Sequence, residues 1–243
     1  MASIKDIKEF FYRWAPNELA AHWDNVGLQI GEPKANVSEL LLSLEVDEAV
    51  LAYLEHKENV LVITHHPLFF NPIKQIRTDK DLGIILKTFL KNDHYLFSAH
   101  TNLDAAEDGV NDCLIKRYGL DPKQGTVIKD GFGKFFDAPK LSFEKAMATM
   151  PAINKGAQQK APIQRLAFCA GSGHGLIQRV IDLGCDTFIT GEANYHDEVS
   201  CRMNGVRLIL LGHKESEEII LADIKEKLLS RFPNEKITNL VQS

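Results

Sequence analysis

Three short apolar runs, each ending in polar residues that include histidine, constrain this chain more than any other feature. Val60 to Ile63 leads into Thr64-His65-His66-Pro67, Tyr95 to Ala99 into His100-Thr101-Asn102-Leu103-Asp104, and Val206 to Leu211 into Gly212-His213-Lys214-Glu215-Ser216-Glu217. A short apolar run bounded by turn formers reads as a buried strand. Open α/β sheets build their sites beyond the carboxyl ends of such strands. The pattern therefore predicts an α/β fold whose strand ends deliver imidazoles and carboxylates, the donors of a metalloenzyme.

The intervening segments supply the helices. Ser3 caps a helix carrying Ile4, Ile7, Phe10, Phe11 and Trp14 at helical spacing, and Pro16 stops it. Leu40 to Leu44 reads as a strand, Asp47 to His56 as a helix capped by Asp47, and Asn59 to Ile63 as the next strand, which makes a β-α-β unit. Lys80 to Leu90, a strand His94 to Ala99 and a helix Val110 to Tyr118 stopped by Gly119 repeat the alternation. From Gly125 to Lys140 the texture changes to Thr126-Val127-Ile128 and Lys134-Phe135-Phe136 around Gly131 and Gly133, which suits antiparallel strands and a domain boundary. Alternation resumes at Gln164 to Ala170 and continues to a last amphipathic helix, Glu215 to Leu229, with Ile219, Ile220, Ile224 and Leu228 on one stripe. The expected architecture is two α/β domains with mixed sheets flanked by helices. Residues 1–124 plus 212–243 form a metal-binding domain, and 125–211 form the second.

Composition narrows the function. With 243 residues and 44% hydrophobic content the chain can bury real cores. Its net charge of −5 argues against general nucleic-acid binding, which needs clustered Lys and Arg. Cys113, Cys169, Cys185 and Cys201 stand far apart without a Cys-x-x-Cys pair, so neither a zinc ribbon nor a compact disulfide framework is expected. The N-terminus has no signal-peptide core and no stretch reaches membrane-spanning length, so a cytoplasmic protein without a membrane partner is expected.

In extended backbone His65 and His66 point to opposite sides, so the pair suits two neighbouring ions better than one. A surface or capping pair is the plainer alternative. His100 and Asp104 share one loop above a strand, although Asp104 could instead cap the helix beginning near Gly109. His213 and Glu217 lie four apart, on one face of a helix, where a carboxylate can bridge two ions; a solvated glutamate is the competing view. Imidazole and carboxylate without thiolate favour divalent zinc, manganese, iron, cobalt or nickel. Two ions about 3.5 to 4 Å apart would acidify a water and polarise a substrate oxygen, so hydrolysis follows naturally. Thr190-Gly191-Glu192-Ala193-Asn194-Tyr195-His196-Asp197 adds Glu192 and His196 beside His100 as candidates for proton transfer, with helix capping by Asn194 explaining part of the cluster. Gly171-Ser172-Gly173-His174-Gly175 resembles an anion-cradling loop but lacks the ending of a P-loop.

Taken in order, Trp23-Asp24-Asn25-Val26-Gly27-Leu28, Thr64-His65-His66-Pro67-Leu68, His100 to Asp104, Gly109-Val110-Asn111-Asp112, Thr190-Gly191-Glu192 with His196-Asp197, and Gly212-His213 with Glu217 resemble the NIF-three-like dinuclear metal-centre proteins, also labelled GTP cyclohydrolase I type 2 homologues. The resemblance implies two divalent ions per subunit held by His65, His66, Asp104, His213 and Glu217, with Glu217 bridging. It also implies toroidal homohexamers built as trimers of dimers, and a short form without a long insertion. Lys214 stands where the family resembled commonly carries a Tyr or another residue after the Gly-His. The expected function is a metal-dependent hydrolase of a nucleotide-like or phosphorylated small molecule. The alternative is a metal-handling or interaction protein without turnover.

Overall fold

The computed structural model describes residues 2–157 and 161–241, which divide into two compact units, the first from the described residues up to 106 and from 220 onward, the second from those between 107 and 219. Each unit is a mixed sheet flanked by helices.

The first unit opens with α1 (Ile4–Trp14), closed at its start by a capping box: Ser3 Oγ accepts from the Asp6 amide at 3.2 Å and Asp6 Oδ2 accepts from the Ser3 amide at 2.9 Å. Its sheet uses β1 (Gly27–Ile30), β2 (Glu39–Ser43), β3 (Val60–Thr64), β4 (Tyr95–Ser98) and the C-terminal strand Ile237–Asn239, in the order β1-β4-β3-β2-C-terminal strand. All neighbours are parallel except β1 with β4. Helix α2 (Glu48–Leu54, capped by Asp47) connects β2 to β3, α3 (Asp81–Lys91) connects β3 to β4, and α4 (Thr101–Ala105) follows β4.

Because β2 and β3 are buried at every position, both sheet faces must be covered. Leu41, Val60, Val62 and Leu96 pack with Val50, Leu54, Ile85, Leu86 and Phe89 of α2 and α3. The opposite face includes Phe97, whose ring lies 5.0 Å from Phe11 of α1. Burying each such side chain contributes about 1.5–3 kcal/mol.

The second unit begins with α5 (Val110–Arg117) and the hairpin β5 (Thr126–Lys129) and β6 (Phe132–Asp137). It continues through α6 (Phe143–Thr149), β7 (Ile153–Asn154), β8 (Arg165–Ser172), α7 (Ile177–Asp182), β9 (Thr187–Glu192), α8 (Tyr195–Met203), β10 (Arg207–Leu210) and α9 (His213–Glu217). The sheet runs β5-β6-β8-β9-β10-β7, parallel from β8 through β10 and antiparallel at both flanks. Ala167, Phe188 and Leu208 pack with Ile177 and Val180 of α7 and Cys201 of α8.

The boundaries differ from the sequence expectation. Residues 107–124 and 212–219 belong to the second unit. There the Asn111 side chain receives the Ala170 amide at 2.9 Å, and the Ser216 hydroxyl receives the Gly171 amide at 2.9 Å, which ties α5 and α9 to β8. The single final helix expected from Glu215 to Leu229 is two helices, α9 and Ile220–Arg231, with a turn at Glu218 and Ile219. Its apolar stripe does form in the second of them, where Ile220, Ile224 and Leu228 are buried in the first unit. Consequently the expected ligands separate by unit: His65, His66 and Asp104 lie in the first, His213 and Glu217 in the second.

Candidate metal centre

In the first unit, His65 and His66 leave the carboxyl end of β3, and His100 leaves that of β4 as the residue preceding α4. Thr64 Oγ1 donates to the His66 carbonyl at 2.8 Å and shares a 2.9 Å hydrogen bond with Ser98 Oγ, locking the two strand ends together. Asn102 accepts from the His100 amide at 3.0 Å and donates to the Ala15 carbonyl at 2.7 Å, which fixes the next loop. As a result one ring nitrogen from each of His65, His66 and His100 lies within 4.8 Å of the others. The doublet does not diverge as extended backbone would have it, because β3 ends at Thr64 and the two rings sit 5.1 Å apart.

Each of these imidazoles presents Nδ1 to an oxygen. His65 Nδ1 lies 2.8 Å from the Ala99 carbonyl, His66 Nδ1 3.2 Å from Glu45 Oε2, and His100 Nδ1 2.9 Å from Asp24 Oδ1. A proton on Nδ1 donated to that oxygen leaves the lone pair on Nε2, the arrangement that outer carboxylates and carbonyls impose on metal-ligating histidines. His65 Nε2 lies 3.5 Å from Asp104 Oδ1. Asp104 sits within α4 and does not cap α5, whose start at Gly109 has no side-chain cap.

Burial would push the Asp24 carboxyl up, but hydrogen bonds from His100 and Thr101 outweigh it and hold the pKa at about 2. Asp24 therefore stays a carboxylate opposite the His100 ring.

The second unit builds its donor pair on α9. Gly212, at φ +99°, turns the chain out of β10, and its amide donates to the Gly191 carbonyl at 2.9 Å. His213 Nε2 lies 3.2 Å from Glu217 Oε2 one helical turn on, and His213 Nδ1 lies 3.0 Å from Glu192 Oε1 at the end of β9. The hydrogen bond to Glu217 raises the His213 pKa against the opposing effect of burial, and Glu192 adds to it, giving about 9. Its Nδ1, like those of the first unit's three histidines, faces an oxygen, while its Nε2 faces Glu217.

Gly171, at φ +62° where β8 ends, makes room for the acid: a Cβ there would stand 2.0 Å from Glu217 Oε1. The glycine loop is therefore shaped by packing against this pair, and Gly173 is likewise filled by Thr190 and Phe188.

Of the proton-transfer candidates, His100 stands with the histidines of the first unit and Glu192 touches His213 in the second. His196 is exposed on α8 beside Tyr195, while its neighbour Asp197 holds His174 Nδ1 at 2.7 Å and completes the Asn194 capping box. Lys214 turns to Glu218 at 3.2 Å.

Sequence reasoning missed the partners Asp24 and Glu45 and the His174–Asp197 pair. Glu45 lies just beyond β2, so the strand-end rule that selected His65 applies to it equally. Asp24 carries no such signal beyond its place in the Trp23-Asp24-Asn25 turn. The donor chemistry fits hard to borderline divalent cations, since both units offer oriented imidazoles beside carboxylates and no thiolate. Among the described residues no helix is long and apolar enough to cross a membrane, and the four cysteines are buried and unpaired with one another.

A Clostridium perfringens protein named GTP cyclohydrolase 1 type 2 homolog is 29% identical over 96% of this chain and 93% of its own length. A Helicobacter pylori protein named GTP cyclohydrolase 1 type 2 is 31% identical over 92% of each. Among solved structures, reduced HcgD from Methanocaldococcus jannaschii superposes with a TM-score of 0.87 at 27% identity, covering 99% of this chain and 98% of that one. Residues 2–242 match the model of the Duf34/NIF3 (NGG1p interacting factor 3) family, and the chain belongs to that family.

Proposed function

We propose that this protein is a dinuclear metal-dependent hydrolase of a nucleotide-like or phosphorylated small molecule, with His65, His66, Asp104, His213 and Glu217 as the ligands of two divalent ions and Glu217 as the bridge. The observation that supports it is the shared orientation of four imidazoles, each with Nδ1 directed at an oxygen. The name carried by the Helicobacter pylori relative agrees with a nucleotide substrate.

When bound, divalent ions at these ligands would supply Lewis acidity toward a water and a substrate oxygen. The chain's own groups do the rest. Asp24 keeps His100 oriented and able to take or give a proton at Nε2. Glu192, more than half exposed beside His213, is placed to exchange a proton with a leaving group. His196 is a further candidate on the exposed start of α8. A toroidal homohexamer and a cytoplasmic setting are part of the same reading, and the first is read by light scattering as a mass near six times 27.3 kDa.

The test is turnover. Protein loaded with manganese, zinc or iron should hydrolyse a member of a nucleotide and phosphoester panel, and Asp104→Ala and Glu217→Ala should lose that activity while keeping their circular-dichroism spectra. Activity surviving both changes would remove these residues from the chemistry. Bound, exchangeable metal with no turnover across the panel would instead favour a metal-handling protein.

A further inference from the structure

Two large aromatic side chains stand open to solvent beside the histidines of the first unit. Trp23 is 53% and Phe70 50% exposed, although their ring centroids are only 5.5 Å apart. Each lies 6.3 Å from the His100 ring at 70° to it, so the three rings make a corner whose floor is an imidazole of the candidate metal centre. Singly exposed aromatics are ordinary on protein surfaces; two in contact, joined to a cluster of histidines, form a patch.

The corner is also braced. Gln29 binds both loops, donating to the Asn25 carbonyl at 2.7 Å and accepting the Phe69 amide at 3.1 Å. Asn25 in turn donates to the Phe69 carbonyl at 2.8 Å. The Asp24 carboxylate receives the Thr101 amide at 3.0 Å and faces His100 Nδ1, so the residue after Trp23 is pinned to the loop that carries His100. Hydrogen bonds thus position both neighbours of the exposed pair, which limits the entropy lost when the rings receive a ligand.

We propose that Trp23 and Phe70 form an aromatic clip that stacks a planar heteroaromatic ring, the base of a nucleotide, and so sets the substrate class of the adjacent centre. The two ring planes meet at 54°. A flat ring lying on one of them turns its edge to the other, and offset-stacked and edge-to-face contacts are the two arrangements aromatic pairs prefer. A saturated aliphatic ligand would gain area burial alone. The clip deepens the hydrolase reading and rests on it for the identity of the reacting group, while the stacking itself needs no metal.

The chain has two tryptophans, so a Trp14→Phe background, excited selectively at the indole, leaves Trp23 as the sole tryptophan reporter. Guanosine, adenosine and uridine triphosphates should quench it saturably, whereas ribose 5-phosphate and tripolyphosphate should not. By equilibrium dialysis, Trp23→Leu and Phe70→Leu should each weaken guanosine triphosphate binding about 5- to 150-fold, the range that base stacking on one aromatic ring spans, with metal content unchanged. Equal binding by the double variant, equal quenching by ribose 5-phosphate, or no quenching by any base overturns the clip. Quenching that grows with protein concentration and needs no nucleotide overturns it in favour of self-association. Base stacking without metal or turnover keeps the clip and sinks the hydrolase reading. Turnover that is indifferent to the presence of a base does the reverse.

Discussion

Replacing Gly171 by alanine isolates the contribution of one carboxylate. The backbone there is at φ +62°, and the added Cβ would stand 2.0 Å from Glu217 Oε1, a full ångström inside the 3.0 Å that real Cβ contacts respect. Two costs follow. Holding alanine in left-handed backbone costs about 1–2 kcal/mol, which in a chain of this size lowers Tm by about 2–8 °C. Glu217, buried on α9, must also give way, and it is the proposed bridging ligand. Gly119→Ala is the control: φ is +75°, so the backbone cost is the same, but nothing lies within 4 Å of the new Cβ. After chelator treatment Gly171→Ala should melt no higher than Gly119→Ala, the difference being the cost of moving Glu217. In metal competition titrations only Gly171→Ala should lose affinity, by at least the about 10–100-fold that disturbed outer partners of a metal site cost. Equal affinities in the two variants would refute the placement of Glu217 at the metal.

Other outcomes test separate parts of the structure. Glu39 is buried at the start of β2. Burial opposes its ionisation, but hydrogen bonds from Thr238, Tyr53, Lys236 and Lys57 prevail and hold its pKa near 2 against an ordinary 4.5. Its charge therefore contributes stability in full above pH 4.5, and that contribution is lost as pH falls toward 2. Glu39→Gln should cost about 3 kcal/mol in urea unfolding at pH 7, with the gap to wild type narrowing to about half at pH 3 and closing only toward pH 2; a gap independent of pH would contradict this. Asp24→Asn should lower turnover about 10- to 100-fold, as loss of an outer partner does, and change its pH profile, with the fold retained by circular dichroism; an unchanged profile would show that Asp24 does not orient His100. Burial raises the Cys185 and Cys201 thiols to about 11, so all four buried cysteines should resist Ellman's reagent at pH 8 until the protein unfolds. Rapid labelling of the native protein would show that the core opens.

Much of the fold was legible because local signals agreed with the global one. Ser3, Asp47 and Asn194 cap the helices that their side chains announce, and β2, β3, β4 and β10 are centred on apolar residues, Leu40 to Leu42, Val60 to Ile63, Leu96 to Phe97 and Leu208 to Leu210. The turn that splits the last helix was not legible: Glu215 to Leu229 keeps a helical apolar pattern through Glu218 and Ile219, and only the assignment of α9 to the second unit interrupts it. Nor was the C-terminal strand Ile237–Asn239 or the two-residue β7, since segments that short carry too little periodicity to declare themselves. At the candidate site the imidazoles and acids were visible by type and spacing. Their orientation by Asp24, Glu45, Glu192 and the Ala99 carbonyl was not, because those partners come from other strands and loops that no sequence interval records.

Anomalous X-ray diffraction from crystals of manganese- or zinc-loaded protein reads the metal centre most directly. Two peaks per chain should appear, shared among His65, His66, Asp104, His213 and Glu217, with Glu217 touching both. A single peak, or peaks ligated by other residues, would contradict the dinuclear assignment.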